Sequence, residues 1–234
     1  MTEKHLSTQF DIELNAINAH LLEMGGLVES QVANAMKAFS TMDPELASDV
    51  LARETEVNTY ELNIDKECSE ILARRQPTAK DLRLVLAVAK AVSNLERVGD
   101  EADHIAARIK KIVEVNAPYQ INVAEIRIAG QMALGLLRRS LDAFARMDSK
   151  SAATIVTDDI EIDNEFRGFV RKLISYMSED PRIISTALEI LFIAKAVERI
   201  GDHAKNISEF VIYVDKGMDV RHIPHDQLKQ EANK

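Results

Sequence analysis

A twelve-residue pattern occurs twice in this chain, 102 positions apart, as LERVGDEADHIA at 95–106 and VERIGDHAKNIS at 197–208. Each copy holds Glu-Arg-x-Gly-Asp within a stretch of residues that favour a helix. A repeat of this length indicates that the chain folds as two related halves.

The repetition extends upstream of that pattern. Residues of the first half match residues of the second at an offset of 105: Phe39 with Phe144, Asp43 with Asp148, Val50 with Ile155, and Val57 with Ile162. The change of offset places a small difference in length between these matches and the repeated pattern. We therefore expect three helices of the first half to recur as three helices in the second.

Capping residues mark the predicted helix boundaries. Asp43 and Asp180 are suitable N-caps that stand before a proline at the first helical position, and Gly217 suits a C-cap. Apolar residues recur at steps of three and four, which is typical of helices that pack along one face. Six long helices are predicted, at roughly 8–41, 44–74, 79–115, 123–147, 150–178 and 181–216.

These helices predict an all-α fold of two tandem, pseudo-symmetric, antiparallel three-helix bundles. The first bundle repeat is expected to cover residues 1–116 and the second residues 123–217, with NAPYQIN at 116–122 as the linker. Residues 218–234 are polar and are expected to form a frayed C-terminal tail.

Charge, cysteine content and hydropathy exclude several classes of protein. The formal net charge of −9 argues against a general nucleic-acid binder, which needs a cationic surface. The single cysteine, Cys68, excludes an intramolecular disulfide, and its place on an apolar stripe predicts a core residue. The N-terminus has no secretory signal pattern, and the most apolar stretch, 183–194, is too short to span a bilayer. A cytoplasmic protein without membrane insertion is predicted.

The repeated pattern carries the candidate site. Glu96 and Asp100 in the first half, and Glu198 and Asp202 in the second, are i,i+4 neighbours on one helix face. Like charges at this spacing are mildly unfavourable in a helix. We therefore expect a bound cation, or a basic side chain, to offset each pair.

The preceding helix of the second half adds Asp159 and Asp163, again four residues apart. Two acidic pairs on adjacent antiparallel helices would offer oxygen ligands to magnesium, manganese or iron. At the matching positions the first half has Glu54 and Asn58, a weaker set of ligands. The alternative is a solvated acidic face that forms salt bridges to nearby basic residues, namely Arg97, Arg199 and Lys205.

Two further features bear on this site. Gly99 and Gly201 lie mid-helix in the two copies, where glycine costs about 1 kcal/mol relative to alanine, so another helix is expected to cross closely. Glu101-x-x-His104 resembles half of a carboxylate-bridged di-metal motif, but the second half lacks it. A surface histidine is therefore the preferred interpretation.

On these residues, the chain resembles the PhoU family of phosphate-specific transport accessory proteins, over essentially its full length. Besides the two acidic copies, the resemblance rests on RQPTAKDLRLVLAV at 75–88 and ISEFVIYVDKGMDVRH at 207–222. The acidic motif alone is moderately specific. Its duplication within tandem three-helix repeats is a strong signal.

The resemblance implies a cytoplasmic, all-helical protein that is not an enzyme and commonly forms a homodimer. Such proteins are negative regulators of the phosphate-starvation response and of phosphate uptake when phosphate is plentiful. They are implied to contact the ATPase subunit of the phosphate ABC transporter. They relay its state to a membrane sensor histidine kinase of a two-component system.

The resemblance also implies metal binding, since some members hold iron or zinc clusters through paired acidic helix motifs. The implied ligands in this sequence are the acidic residues of both copies and of the helix before the second copy: Glu96, Asp100, Asp159, Asp163, Glu198 and Asp202. Asn58 stands where an acidic residue is expected in the earlier site.

Three functions remain open: a signalling adaptor for phosphate uptake, a carboxylate-bridged metalloprotein with iron, zinc, manganese or magnesium, and a structural scaffold. The missing second Glu-x-x-His argues against a metalloenzyme. Long bundles without a cleft motif offer surfaces on which a partner helix can dock, and this favours the adaptor.

Overall fold

The computed structural model describes residues 8–115, 121–221 and 223, and every regular element in those ranges is helical. The ranges contain α1 Thr8–Thr41, α2 Pro44–Leu51, α3 Glu54–Arg75, α4 Ala79–Val115, α5 Ala124–Arg146, α6 Ser149–Glu179 and α7 Ile184–Lys216. A short 3-10 helix, Pro181–Ile183, precedes α7. The predicted all-α fold class is confirmed.

The second of the six predicted helical segments is interrupted. Ala52 and Arg53 separate α2 from α3, with ψ angles of −15° and −8° that tighten the chain relative to an α-helix. The Arg53 amide donates to the carbonyl of Val50 at 3.1 Å, three residues back. Neither proline nor glycine stands at this break, so the local sequence did not mark it.

The predicted caps are confirmed at both kinds of helix end. Asp43 Oδ1 accepts hydrogen bonds from the amides of Glu45 at 2.9 Å and Leu46 at 3.1 Å, which fixes the start of α2. Its repeat partner, Asp148, accepts from the amide of Ser151 at 3.1 Å at the start of α6. The predicted C-cap, glycine 217, has a φ of 72°, in the left-handed region that favours glycine.

The two halves have the same antiparallel arrangement. In the first half, Arg75 near the end of α3 pairs with Glu13 near the start of α1 at 2.7 Å. In the second half, Lys172 of α6 pairs with Glu125 of α5 at 2.9 Å. Each long helix that carries an acidic copy packs on the other helices of its own half: α4 on α1, α2 and α3, and α7 on α5 and α6.

Helices α4 and α7 also join the halves, because their mutual contact is the most extensive in the fold. They run antiparallel: Arg83 near the start of α4 donates to the carbonyl of Val214 near the end of α7 at 3.3 Å. Toward the other end, Arg108 of α4 pairs with Glu189 of α7 at 2.9 Å. The buried apolar residues of both halves form one continuous core.

The start of the predicted C-terminal tail packs on the bundle. Val220 is 2% exposed, and Met218 and Ile223 are partly buried against the core. The remainder of the predicted tail, residues 224–234, and linker residues 116–120 lie outside the described residues. In the part of the chain that the structure describes, no helix is long and apolar enough to cross a membrane.

Candidate functional site

The later acidic cluster lies between α6 and α7. Asp159 is 4% exposed, and this burial raises its pKa to about 6; Lys205 opposes the rise, and the charges of Asp202 and Asp163 add to it. Burial also raises the pKa of Asp202, with the Glu198 charge as the next cause. The four acidic residues predicted in the second half are therefore brought together.

Basic side chains already contact this cluster. Lys205 Nζ lies 3.5 Å from Asp159 Oδ2, and Lys195 of α7 pairs with Glu198 one turn away. A guanidinium nitrogen of Arg167 lies 3.6 Å from a carboxylate oxygen of the i−4 residue, aspartate 163. The sequence-based alternative, an acidic face held by salt bridges, agrees with the Lys205 contact.

The earlier acidic cluster lies between α3 and α4. Burial raises the pKa of Glu96, and the charges of Asp100 and Glu61 add to the rise. The pKa of Glu61 is likewise raised by burial and then by the charges of Asp65 and Asp100. Glu61 and Asp65 form a further i,i+4 acidic pair, on α3. The structure sets it beside the first acidic copy.

The six predicted metal ligands thus fall into two clusters, one in each half. Among residues 8–115, 121–221 and 223, no group of three His, Cys, Asp or Glu side chains is arranged so that it could hold a metal ion. In the later cluster, Lys195 and Lys205 would have to move away before a cation could reach Glu198 and Asp159. The side chains as placed do not fit a preformed metal site, and metal binding stays a prediction.

One substitution distinguishes the two clusters. Lys205 of α7 corresponds to Asp103 of α4 at an offset of 102, and Asp159 corresponds to Glu54 at an offset of 105. The ion pair of the second half is therefore replaced by two carboxylates in the first. Asp103 is 8% exposed, and burial together with the Glu54 charge raises its pKa to about 7.

Within the described residues, buried polar atoms of three side chains lack hydrogen-bond partners: Asn18 Oδ1 and the polar atoms of Gln31 and Asp103. Both Asp103 carboxylate oxygens and both amide atoms of Gln31 are unpaired, and Gln31 is fully buried. Gln31 lies on α1 opposite Gly99 of α4, where a Cβ atom would stand 3.5 Å from its Oε1. Gln31 was not predicted from the sequence. The available signal was its position three residues after Val28, on the face of α1 whose other buried side chains are apolar.

The two mid-helix glycines have different surroundings. A Cβ atom at Gly201 would lie 2.8 Å from Asp159 Oδ1 and 2.8 Å from a methyl group of Ile162, so α6 crosses α7 closely there, as predicted. At Gly99 the nearest atom would be a Val57 methyl at 3.4 Å, an ordinary van der Waals contact. The close crossing is therefore confirmed for the second half, whereas alanine would fit at the first glycine.

A polar network crosses the contact between the two halves. Glu101 of α4 is 3% exposed and accepts from Arg199 of α7 at 2.9 Å. Its i+3 neighbour, His104, lies 3.2 Å away with 61% of its side chain exposed, which agrees with the prediction of a surface histidine. Asn94 Oδ1 lies 2.9 Å from Nδ1 of His203, whose pKa burial lowers to about 4. Pairing across α4 and α7 could not be read from either copy alone.

The predicted core cysteine is confirmed. Cys68 is 2% exposed, and its burial raises the pKa of the thiol to about 12. A thiol with such a pKa is protonated near neutral pH and is a poor nucleophile and metal ligand. Cys68 therefore belongs to the packing of α3.

Fold and site together define a class of protein: a tandem repeat of helical bundles with an acidic cluster between two helices of each repeat. The two repeats are joined through α4 and α7, the helices that carry the repeated acidic pattern. Comparison with known proteins gives the family. The PhoU domain matches this chain twice, at residues 21–109 and 126–211, and the chain belongs to the PhoU family. The two matches correspond to the two structural halves.

Similar proteins cover nearly the whole chain. A phosphate-specific transport system accessory protein PhoU homolog from a Burkholderia species is 49% identical over 99% of both chains. The Escherichia coli K12 protein, named phosphate-specific transport system accessory protein PhoU, is 42% identical over 96% of this chain and 92% of its own.

Solved structures agree with the fold. The crystal structure of PhoU from Pseudomonas aeruginosa has a TM-score of 0.86 and 44% sequence identity, and covers 89% of this chain and 100% of that chain. The phosphate transport system regulatory protein PhoU from Streptococcus pneumoniae has a TM-score of 0.84 at 27% identity, covering 90% and 99%. The chain therefore belongs with proteins of the phosphate transport system.

Proposed function

We propose that this chain is a cytoplasmic negative regulator of the phosphate-starvation response and of phosphate uptake. It acts as an adaptor between the ATPase subunit of the phosphate ABC transporter and a membrane sensor histidine kinase, and it works as a homodimer without catalysing a reaction. The observation that carries the proposal is the full-length similarity, at 49% and 42% identity, to proteins named as accessory to phosphate-specific transport.

The fold supports an adaptor through the kind of surface that it offers. Helices α1 and α6 are 34 and 31 residues long and have exposed residues along their whole length, so each presents an exposed side on the order of 45–50 Å in length. Such sides can receive partner helices along rows of residues three and four apart. The thiol of Cys68 is buried, and its raised pKa keeps it protonated, so it does not support covalent catalysis.

A deletion strain tests the regulatory role. Removing this chain is expected to turn on phosphate-scavenging genes in medium that is rich in phosphate, and a plasmid copy of the wild type is expected to restore repression. The measurement is a reporter fused to a phosphate-starvation promoter. Full repression in a clean deletion strain would overturn the proposal.

A helix-bundle metalloprotein is the second candidate function. It is favoured by the convergence of Asp159, Asp163, Glu198 and Asp202, where burial and mutual repulsion raise the pKa of Asp159 and of Asp202. A divalent cation that displaced the lysines would relieve that repulsion. Under this candidate, iron, zinc, manganese or magnesium would be held by these residues, and by Glu96 and Asp100 in the first half.

Elemental analysis of the purified protein tests the second candidate function. Protein purified without chelators is expected to carry stoichiometric metal under the second candidate, and Asp202→Asn is expected to lower that content. The matched control is Asp142→Asn, which alters an exposed aspartate paired with Arg146 outside both clusters. Metal-free wild-type protein, or equal metal content in all three proteins, would remove the second candidate and leave the adaptor proposal intact.

A further inference from the structure

A groove runs between α1 and α5, on the side where the two halves meet without α4 or α7. It is open, with a volume of about 630 Å³, and it extends along 33–40 of α1 and 124–134 of α5. At a rise of about 1.5 Å per residue, that part of α5 is about 16 Å long, or three helical turns. The length suits a short helical segment of a partner.

The floor of the groove is apolar and adjustable. Met36 and Leu134 are half-buried there, and Ile128 at the edge is 49% exposed. A Cβ atom at Gly130 would collide with the Met36 methyl group, so the methionine occupies the space that this glycine leaves. A flexible methionine can adapt its side chain to different apolar partner residues.

The charge of the groove is opposite to that of the molecule. The whole chain has a net charge of −9, yet the groove lining contains Lys37 and Arg127 and no carboxylate. Among the described residues, neither cation forms an ion pair, and both side chains are exposed. The carboxylates nearest in sequence are already engaged: Glu125 pairs with Lys172 at 2.9 Å, and Asp43 caps α2.

The neighbouring groove, between α1 and α3, shows that this lining is distinctive. That groove has a similar volume, about 660 Å³, but its lining contains four glutamates against one lysine and one histidine: Glu23, Glu56, Glu67, Glu70, Lys66 and His20. A negatively charged partner would be repelled there and attracted to the α1–α5 groove.

From these observations we infer that the groove between α1 and α5 is a docking site for an acidic amphipathic helix of a partner protein. Apolar residues of that helix at i, i+3 or i+4, and i+7 would lie on Met36, Leu134 and Ile128. Carboxylates beside that stripe would pair with Lys37 and Arg127. The inference rests on the proposed function, because the helix is expected to belong to a protein that the adaptor contacts.

A peptide of defined sequence tests the groove by itself. The probe is a fluorescent helical peptide of about 18 residues with leucines at the stated spacing and glutamates beside them; its matched control carries lysines in place of the glutamates. Fluorescence anisotropy is expected to show saturable binding of the acidic peptide to the wild-type chain, weakening as salt is raised. The basic peptide is expected to bind at least about tenfold more weakly.

Charge reversal locates the contact. The double variant Lys37→Glu/Arg127→Glu is expected to weaken acidic-peptide binding by about tenfold or more, because both favourable charges become repulsive. The control, Lys111→Glu/Arg171→Glu, makes the same change in net charge at two exposed helical positions outside the groove lining. It is expected to bind like the wild type, and helical circular dichroism checks that both variants fold.

Other outcomes would overturn the inference. These are equal binding of the acidic and basic peptides, equal loss of binding in both double variants, or a shift of the oligomeric state in the groove variant alone, which would show that a second copy occupies the groove. The promoter reporter judges the proposed function separately, since it compares deletion with wild type. If the reporter contradicts the regulatory role, the peptide assay still shows whether the groove binds an acidic helix.

Discussion

At the scale of single residues, the two halves differ by a reversal of charge where Asp103 in the first half corresponds to Lys205 in the second. Lys205 lies 3.5 Å from the buried carboxylate of Asp159 and partly compensates its charge. Asp103 has no cation in that place, and its two oxygens have no hydrogen-bond partner among the described residues. Among the described residues, the ion pair of the second repeat therefore has no counterpart at the matching positions of the first.

Asp103→Asn is expected to stabilise the protein by about 1–3 kcal/mol near pH 8, because it removes a buried carboxylate that lacks a partner. The pKa of Asp103 is raised to about 7 in the folded chain from its ordinary 3.8. Between pH 4 and 7 the Asp103 carboxyl is ionised in the unfolded chain and largely protonated in the folded chain. Folding then requires the uptake of a proton, so the wild type loses stability as the pH rises through this range.

The gain from Asp103→Asn should consequently shrink as the pH is lowered from 8 toward 5. Urea denaturation of both proteins at several pH values measures this difference. Glu114→Gln, at an exposed position on α4, is the control and should leave stability nearly unchanged throughout. A variant that is less stable than the wild type at pH 8 would contradict the interpretation.

Gly201→Ala is expected to destabilise the protein by about 1–3 kcal/mol, because the new methyl group would lie 2.8 Å from both Asp159 and Ile162. Gly168→Ala, in the middle of α6 with no atom within 4 Å of the added Cβ, is the matched control. It is expected to gain up to about 1 kcal/mol through helix propensity. Thermal melts of the two variants with opposite signs would agree with this account, whereas equal shifts would argue against it.

At the scale of elements, capping residues decide where several helices begin. Asp43 and its repeat partner Asp148 both accept amide hydrogen bonds at a helix start. Asp43→Ala is expected to cost about 1 kcal/mol, since the amides of Glu45 and Leu46 lose their acceptor.

Asp49→Ala, at an exposed position inside α2, provides the comparison for the capping variant, since it removes the same carboxylate away from the helix start. Chemical denaturation should show a clear loss of stability for the cap and little change for the interior position. A similar loss in both proteins would indicate that net charge, and not capping, is responsible.

Most element boundaries were predictable because each depends on residues that are close in sequence. The N-caps, the C-cap at glycine 217 and the spacing of apolar residues are all local signals, and the repeat gave two chances to read them. The break at Ala52 and Arg53 carries no such signal. This break between α2 and α3 was therefore not predicted.

The candidate site was predictable only in part, for the same reason. The i,i+4 spacing placed Glu96 beside Asp100 and Glu198 beside Asp202 on their helices. The position of Glu61 next to Glu96, and of Lys205 next to Asp159, depends on how neighbouring helices are aligned. The pairing of Glu101 with Arg199 depends on how the halves meet, which no single repeat encodes.

At the scale of the whole molecule, α4 and α7 make the two repeats one structure. Their contact is the most extensive in the fold, it contains the ion pair between the buried Glu101 and Arg199, and the apolar core runs through both halves. We expect the described helices to unfold in one cooperative transition.

Hydrogen exchange read by mass spectrometry at rising urea concentration checks this expectation. Peptides from α3 and from α6, one in each half, should lose protection over the same range of denaturant. Loss of protection in one half well before the other would mean that the repeats are independent folding units, and that the α4–α7 contact adds little to their stability.

We propose that this PhoU-family chain works by contact with the phosphate transport system. The direct measurement is titration of the purified, full-length chain against the purified ATPase subunit of the phosphate ABC transporter from the same source, by isothermal calorimetry. We expect saturable binding that reaches a defined stoichiometry. No detectable binding at concentrations where both proteins are folded would contradict it.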